Sequence, residues 1–253
     1  MCTTMIHEPP QLLDLELLAA FKSRFFGYGS FEAPLWFVGL EEGAGNTFDE
    51  ISARLQVWNT RGQRALEDAR GYTIGFGRTE YFVDPVQLSR TWAGLIRVQY
   101  ATEGQFIPST EMVRERQQHC WGRFDSKACL LELGPLPSPG MTQWHYDRWT
   151  GDPAYGRPAY RRAVFPQRIA KLRNLVTAHR PRVVVFYGRS YTRYWREIIG
   201  TVPTPHPVCT DVLYHENAAT TFLVMRHPAD RRMKQSCLSS VGRLISPILQ
   251  ARR

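Results

Sequence analysis

The sequence predicts an α/β domain of three layers, α/β/α, with a central, mostly parallel four-stranded sheet. Short, almost wholly apolar runs (LWFVGL, ACLLEL and RVVVFYG) have the length and character of strands buried on both faces. Segments with apolar residues at helical spacing separate them, and regular alternation of this kind places helices on both faces of a parallel sheet. At 253 residues, 43% hydrophobic and 12% aromatic, the chain also has the material for one sizeable core. A single domain spanning 1–253 is expected, since no repeat, low-complexity segment or linker divides it.

Taken in order, Leu12 to Phe26 reads as an amphipathic helix ended by Gly27 and Gly29. Pro34 leads into the first strand, LWFVGL. Asn46 and Thr47 are N-cap residues for a helix through about Trp58. The stretch from Thr60 to Pro85, rich in glycine and charge, reads as an insertion or mobile loop. PVQLSRTWAGLIRVQ reads as a helix with Pro85 at its start, and a further helix is expected from about Ser109 to Trp121. ACLLEL (Ala128 to Leu133) is the second strand, followed by a long loop dense in Pro, Gly, Trp and Tyr, of the kind that usually carries function. A helix from Tyr160 to His179 precedes RVVVFYG, and SYTRYWREIIG is a helix closed by Gly200. VLYHENAATTFLVMRHP holds one or two strands ending at His227 and Pro228, and the tail from about Ser236 to Arg253 is a closing helix. Right-handed crossovers gather the strand ends on one rim, so the site is expected where GLEEG, the loop after Leu133, GRS and RHPAD meet.

Lys and Arg number 32 against 23 acidic residues, a formal charge of +9 that suits a polyanionic partner. The five cysteines, Cys2, Cys120, Cys129, Cys209 and Cys237, are scattered and form no C-x-x-C, which argues against a disulfide framework or an all-cysteine metal site. No apolar run is long enough to cross a bilayer, and MCTTMIHEPPQ lacks the pattern of a secretory leader. No membrane partner is expected; a cytoplasmic, nucleoid-associated location is. Motifs for serine hydrolases, zinc proteases and P-loop nucleotide binding are missing.

Four segments in order resemble the uracil-DNA glycosylase superfamily. LWFVGLEEG resembles its first motif, a strand ending in glycine with an acidic or amide residue two places on. ACLLELGPL aligns with the strand that reads the base edge. RPRVVVFYGRS resembles the stretch that the iron–sulfur branch carries before its last helix, and VMRHPAD resembles the final motif, which brings a His–Pro pair to the active site. The outline spans residues 33 to 245, with about 30 residues carrying it closely. The resemblance implies a monomeric hydrolase of base-excision repair that acts on uracil in single- or double-stranded DNA, flipping the base out of the stack. That branch holds its cluster with four cysteines; this chain lacks them in any grouping, so no cofactor and no metal are expected.

Residue by residue, the resemblance makes Glu41 the carboxylate that stabilises the sugar cation or orients water, with Glu42 beside it where the family has proline. His227 would donate a hydrogen bond to the departing base. Glu132 stands where the family has an asparagine that both donates to and accepts from the base; an ionised glutamate only accepts, so Glu132 must be neutral, or the alignment slips, or the base is not plain uracil. Gly39 and Leu40 would border the base, with Phe48 the first choice for stacking on it and Trp92 and Phe82 as rivals. Arg226, Arg231, Arg232, Lys234, Arg189 and Ser190 are expected to grip DNA, with Met233 or Arg231 filling the gap left by the base. Trp144, His145, Tyr146, Arg148, Trp149 and Arg157 resemble a further DNA-contacting surface. Two other functions compete: a catalytically weakened member that binds damaged or abasic DNA, favoured by Glu42 and Glu132, and a nucleoside-cleaving α/β enzyme.

Overall fold

Strand-length apolar runs and capped helices organise the chain. A computed structural model describes residues 11–251; the leader reading of the N-terminus, Cys2 and the last two positions of the expected closing helix lie outside them. Helix α1 (Leu15–Arg24) starts on Asp14, whose carboxylate accepts from Leu17 N at 2.9 Å. Strands β1 (Gly27–Tyr28) and β2 (Leu35–Glu41) follow, then α2 (Phe48–Thr60), capped by the Thr47 hydroxyl. Next come β3 (Leu66–Glu67), α3 (Ala69–Gly75), α4 (Arg90–Thr102), α5 (Thr110–His119) and β4 (Ala128–Gly134). The second half holds α6 (Tyr146–Thr150), α7 (Arg157–His179), β5 (Val183–Tyr187) and α8 (Thr192–Ile199). It closes with β6 (Thr204–Pro205), β7 (Leu213–Glu216), β8 (Thr221–Met225) and α9 (Gln235–Gln250).

The strands form one mixed, eight-stranded sheet in the order β3-β1-β4-β2-β5-β8-β7-β6, which corrects the expectation of four. Neighbouring strands in the run β4, β2, β5 and β8 pair in parallel, while β1 runs antiparallel to β4, and β7 to β8. Three of the extra strands left no apolar run to read, since β1, β3 and β6 are two residues each; β7, the half-exposed LYHE, lies in the segment expected to hold one or two strands. In contrast, β5 and β8 are buried at every position, as strands covered on both faces must be. From β2 the chain moves to β4 on one side, and from β5 to β8 on the other. The strand order therefore reverses between β2 and β5, which is where an open α/β sheet leaves a crevice at its carboxyl rim.

Two further expectations are corrected. The stretch from Thr60 to Pro85 is ordered, contributing β3, α3 and a 3₁₀ turn, with Ala69, Tyr72 and Phe82 fully buried. Many of its charges are paired: Arg61 with Glu67 at 2.9 Å, Arg78 with Glu80 at 2.5 Å, and Asp68 with Arg123. Helix α4 begins at Arg90 rather than Pro85, because the Ser89 side chain supplies the cap and Pro85 lies in the loop before it.

Helices α4 and α9 pack closely because α9 has Gly242 at the contact, where an added Cβ would lie 2.3 Å from Ala101 Cβ and 2.6 Å from the Val98 carbonyl oxygen. Gly242→Ala gains about 1 kcal/mol of helix propensity. It also overpacks a backbone that cannot yield, at a cost of about 1–3 kcal/mol. The second effect wins, and thermal denaturation should show a melting temperature lower by several degrees; an unchanged or raised value would contradict this packing.

Candidate functional site

A cleft of about 780 Å³ opens at the carboxyl ends of β2, β4, β5 and β8. Glu41, Glu42, Glu132 and His227 all line it, so the residues expected to act together share one cavity. The parallel register places Gly39 opposite Glu132 and Glu41 opposite Gly134, which crowds three carboxyl groups onto one rim.

Each carboxyl is handled differently. Glu41 is clamped: Arg157 Nη2 donates to Oε2 at 2.5 Å, and Arg161 donates to Oε1 through Nε at 3.0 Å and Nη2 at 2.9 Å. Its side chain is only 4% exposed, so it ties the start of α7 to the end of β2 and has little surface left for a ligand. Glu42 accepts from the Tyr28 hydroxyl at 2.8 Å and from Arg54 at 2.8 and 3.2 Å, yet keeps 22% of its side chain exposed. Arg54 is itself buried, with its guanidinium over the Phe76 ring. Sequence reasoning missed it, although Ile51, Arg54, Leu55 and Trp58 fall on one helical stripe where an arginine needs an anionic partner.

Glu132 has no arginine against its carboxyl. The Tyr187 hydroxyl donates to Oε1 at 2.7 Å, while Oε2 is buried with no hydrogen-bond partner among the described residues. Burial pushes its pKa up to about 8, opposed by the Tyr187 hydrogen bond and reinforced by the charges of Glu42 and Glu41. At neutral pH the group is therefore mostly a carboxylic acid, able to donate as well as accept. From below, Arg168 fixes this strand end through hydrogen bonds to the carbonyls of Glu132 and Leu133. Gly39 makes room for the pair: a Cβ there would lie 2.2 Å from Tyr187 Oη and 2.4 Å from Glu132 Oε2. Gly39 thus shapes the wall from beneath, while its neighbour Leu40 lines the cleft. Tyr187, the last residue of the clearest strand, was also missed.

His227 follows β8. Its Nδ1 accepts from Ala229 N at 3.2 Å, which in a neutral ring leaves the proton on Nε2. Burial lowers its pKa, against the pull of Asp230, so the neutral form prevails at pH 7. The ring stands edge-on to Tyr187, with centroids 5.5 Å apart. Behind it, Pro228 packs so closely on α4 that a Cβ at Gly94 would come within 2.6 Å of it.

Of the expected DNA-gripping residues, Arg226, Arg232, Arg189 and Ser190 line the cleft, whereas Arg231 and Lys234 are exposed outside it. Arg189 and Arg226 are held near Asp211, and Arg232 pairs with Asp230. Phe48 is displaced: it packs edge-on against Trp149 and does not border the cavity, because the cap at Thr47 turns the chain away from the rim. Phe82 is fully buried, while Trp92 lies on the wall with Tyr81 and Tyr191. Met233 packs against the core. The aromatic loop folds inward: Trp144 packs at a tilt against Tyr146 and Tyr160 and donates to the Tyr155 carbonyl at 2.6 Å, and Trp149 packs edge-on against Tyr146. Arg157 serves Glu41 and the carbonyls of Gly140 and Met141, whereas Arg148 is exposed.

The cysteines do not fit a four-cysteine cluster. Cys129 is buried in β4, Cys120 is exposed after α5, and among the described residues no three His, Cys, Asp or Glu side chains gather as metal ligands would.

A carboxyl whose folded pKa is raised stabilises the fold least where it must ionise. The wild-type chain should thus lose stability, through Glu132, as pH rises from the ordinary carboxylate range to about 8. Glu132→Gln should therefore gain melting temperature relative to wild type between about pH 5 and pH 8 and level off above; a difference independent of pH would contradict a protonated Glu132. Comparison with family models, with curated proteins and with solved structures gives no match.

Proposed function

We propose that this chain is a DNA glycosylase with the three-layer fold of the uracil-DNA glycosylase superfamily, hydrolysing the N-glycosidic bond of a flipped-out uracil. The observation that carries the reading is that one cleft is lined both by His227, whose Nδ1 accepts from Ala229 N and leaves Nε2 to donate, and by Glu132, whose carboxyl has no cationic partner among the described residues and a buried, unpaired Oε2. Uracil presents an N–H beside a carbonyl. A protonated Glu132, with Oε2 turned from its buried position at Gly39 toward the cleft, donates to the carbonyl and accepts from the N–H, chemistry equivalent to that of the family's asparagine. His227 donates from Nε2 to the oxygen on which charge builds as the base departs. The carboxylate at the sugar is assigned to Glu42, because Glu41 is enclosed by Arg157 and Arg161. The basic rim, Arg189, Arg226 and Arg232, holds the flanking phosphates. On this reading the enzyme works as a monomer on DNA in the cytoplasm, at the nucleoid.

The second reading, a weakened member that binds damaged or abasic DNA, is favoured by one observation: both Glu41 and Glu42 are engaged by arginines, so neither is free to reorganise around water. Tight binding of an abasic oligonucleotide with no base release would select it.

Incubation with uracil-containing oligonucleotides followed by alkaline cleavage should reveal strand scission. His227→Ala and Glu42→Gln should each slow release by roughly a hundredfold or more, whereas Glu41→Gln should act chiefly on stability; full activity in the first two would remove the mechanism. Release should also decline as pH rises through about 8, where Glu132 ionises and repels the base carbonyl. It should decline at low pH as His227 becomes protonated, below the ordinary histidine range. In Glu132→Gln the alkaline decline should vanish; its persistence would mean that another group sets it.

A further inference from the structure

Beside the cleft lies a second cavity of about 670 Å³, between the first half of α7 and helix α8. Four arginines line it: Arg157, Arg161 and Arg162 from α7, and Arg193 from α8. Its acidic lining residue is Glu197. Glu41 offsets one charge of the Arg157–Arg161 pair and Glu197 one more, so the groove keeps an excess of two positive charges. Arg162 and Arg193 are exposed and form no ion pair among the described residues. Phe165 and the half-buried Tyr194 meet edge to face, with centroids 5.2 Å apart. The Arg161 guanidinium lies 5.6 Å from the Phe165 centroid and that of Arg193 4.5 Å from the Tyr194 centroid. Arg157 lines both cavities, so the groove adjoins the cleft.

We propose that this groove is a nucleic-acid track, holding the phosphodiester backbone of a single DNA strand that runs outward from the cleft. Arg157 and Arg161 both bind the Glu41 carboxylate, so the groove's arginines without an ion pair among the described residues are Arg162 on α7 and Arg193 on α8. These two stand on different helices flanking the groove, and Arg157 joins it to the cleft, so positive charge is offered at separate places rather than at a single phosphate site. Exposed guanidinium groups on both helices suit a polyanion whose charges repeat along its length, and the Arg193–Tyr194 stack offers a plane for an unstacked base. The path of the strand rests on the proposed reading of the cleft; the existence of the track does not.

The test is fluorescence anisotropy of the full chain with a labelled, uracil-free oligothymidylate of about 20 nucleotides, from about 50 to 200 mM salt. Arg162→Glu combined with Arg193→Glu should weaken binding at least tenfold and make the slope of log affinity against log salt shallower by about 1.4, two single-strand phosphate contacts. Arg162→Lys with Arg193→Lys should retain most of the slope, and Tyr194→Ala should weaken binding without changing it. Arg64→Glu with Lys127→Glu, the same charge change at exposed positions that line neither cavity, should have a much smaller effect. The proposal is overturned if the groove variant binds like wild type, if the distant control loses as much, or if polyglutamate of equal charge binds as tightly as the strand. A parallel uracil-release assay separates the two ideas. Groove-dependent binding without release would remove the glycosylase reading and keep the track, whereas release with groove-independent binding would do the reverse.

Discussion

Three carboxyl groups on one rim of the sheet set the terms for the rest of the site. Pairing of β2 with β4 in register brings Glu41, Glu42 and Glu132 to adjacent strand ends, where the surroundings screen charge poorly. Three like charges there would repel strongly, and the chain meets this in two ways. Arginines neutralise Glu41 and Glu42, and a proton neutralises Glu132. The consequences spread outward. Arg157 and Arg161 fasten the start of α7 to β2, Arg157 also holds the Gly140–Met141 turn, and Arg54 anchors α2 against the base of the cleft. Breaking one partner of such a buried pair typically costs about 3–5 kcal/mol, so these ties fix the shape of the cavity as well as its charge.

The opposite wall depends on close backbone approach. Gly39 lets Tyr187 reach over β2 to Glu132, and Gly94 lets the turn after β8 settle on α4. His227 is then held by its own turn, through the Ala229 amide, in the tautomer that can donate into the cleft. A carboxyl that keeps its proton at pH 7 is unusual, whereas a neutral imidazole is the ordinary form there and burial only reinforces it. Here each has a stated cause: burial for both, with the charges of Glu41 and Glu42 adding to the effect on Glu132.

The strand ends were legible in the sequence because buried strands leave apolar runs and a rim site must follow them: Glu41, Glu42, Glu132 and His227 were all placed on one cavity from LWFVGLEEG, ACLLEL and RHPAD. A neutral Glu132 was one of three alternatives the sequence left open, beside a slipped alignment and a base other than plain uracil. Partners were not legible. That Glu41 is enclosed by arginines more than a hundred positions away depends on how α7 docks, which no local pattern encodes. Phe48 lies near the motif in sequence but on the far side of a helix cap. The Thr60 to Pro85 stretch read as an insertion or mobile loop because glycine and charge are dense in it, and only the fold reveals how many of those charges are paired. The short strands β1, β3 and β6 were invisible because two residues make no pattern.

The account stands on the protonation state of one side chain. Carbon-13 NMR of the glutamate carboxyls in the intact chain, with the Glu132 signal assigned by its loss in Glu132→Gln, reads that state directly. The account predicts an acid at pH 7 that titrates near 8. A carboxylate already ionised at pH 6, with a midpoint near the ordinary value of about 4.3, would contradict it.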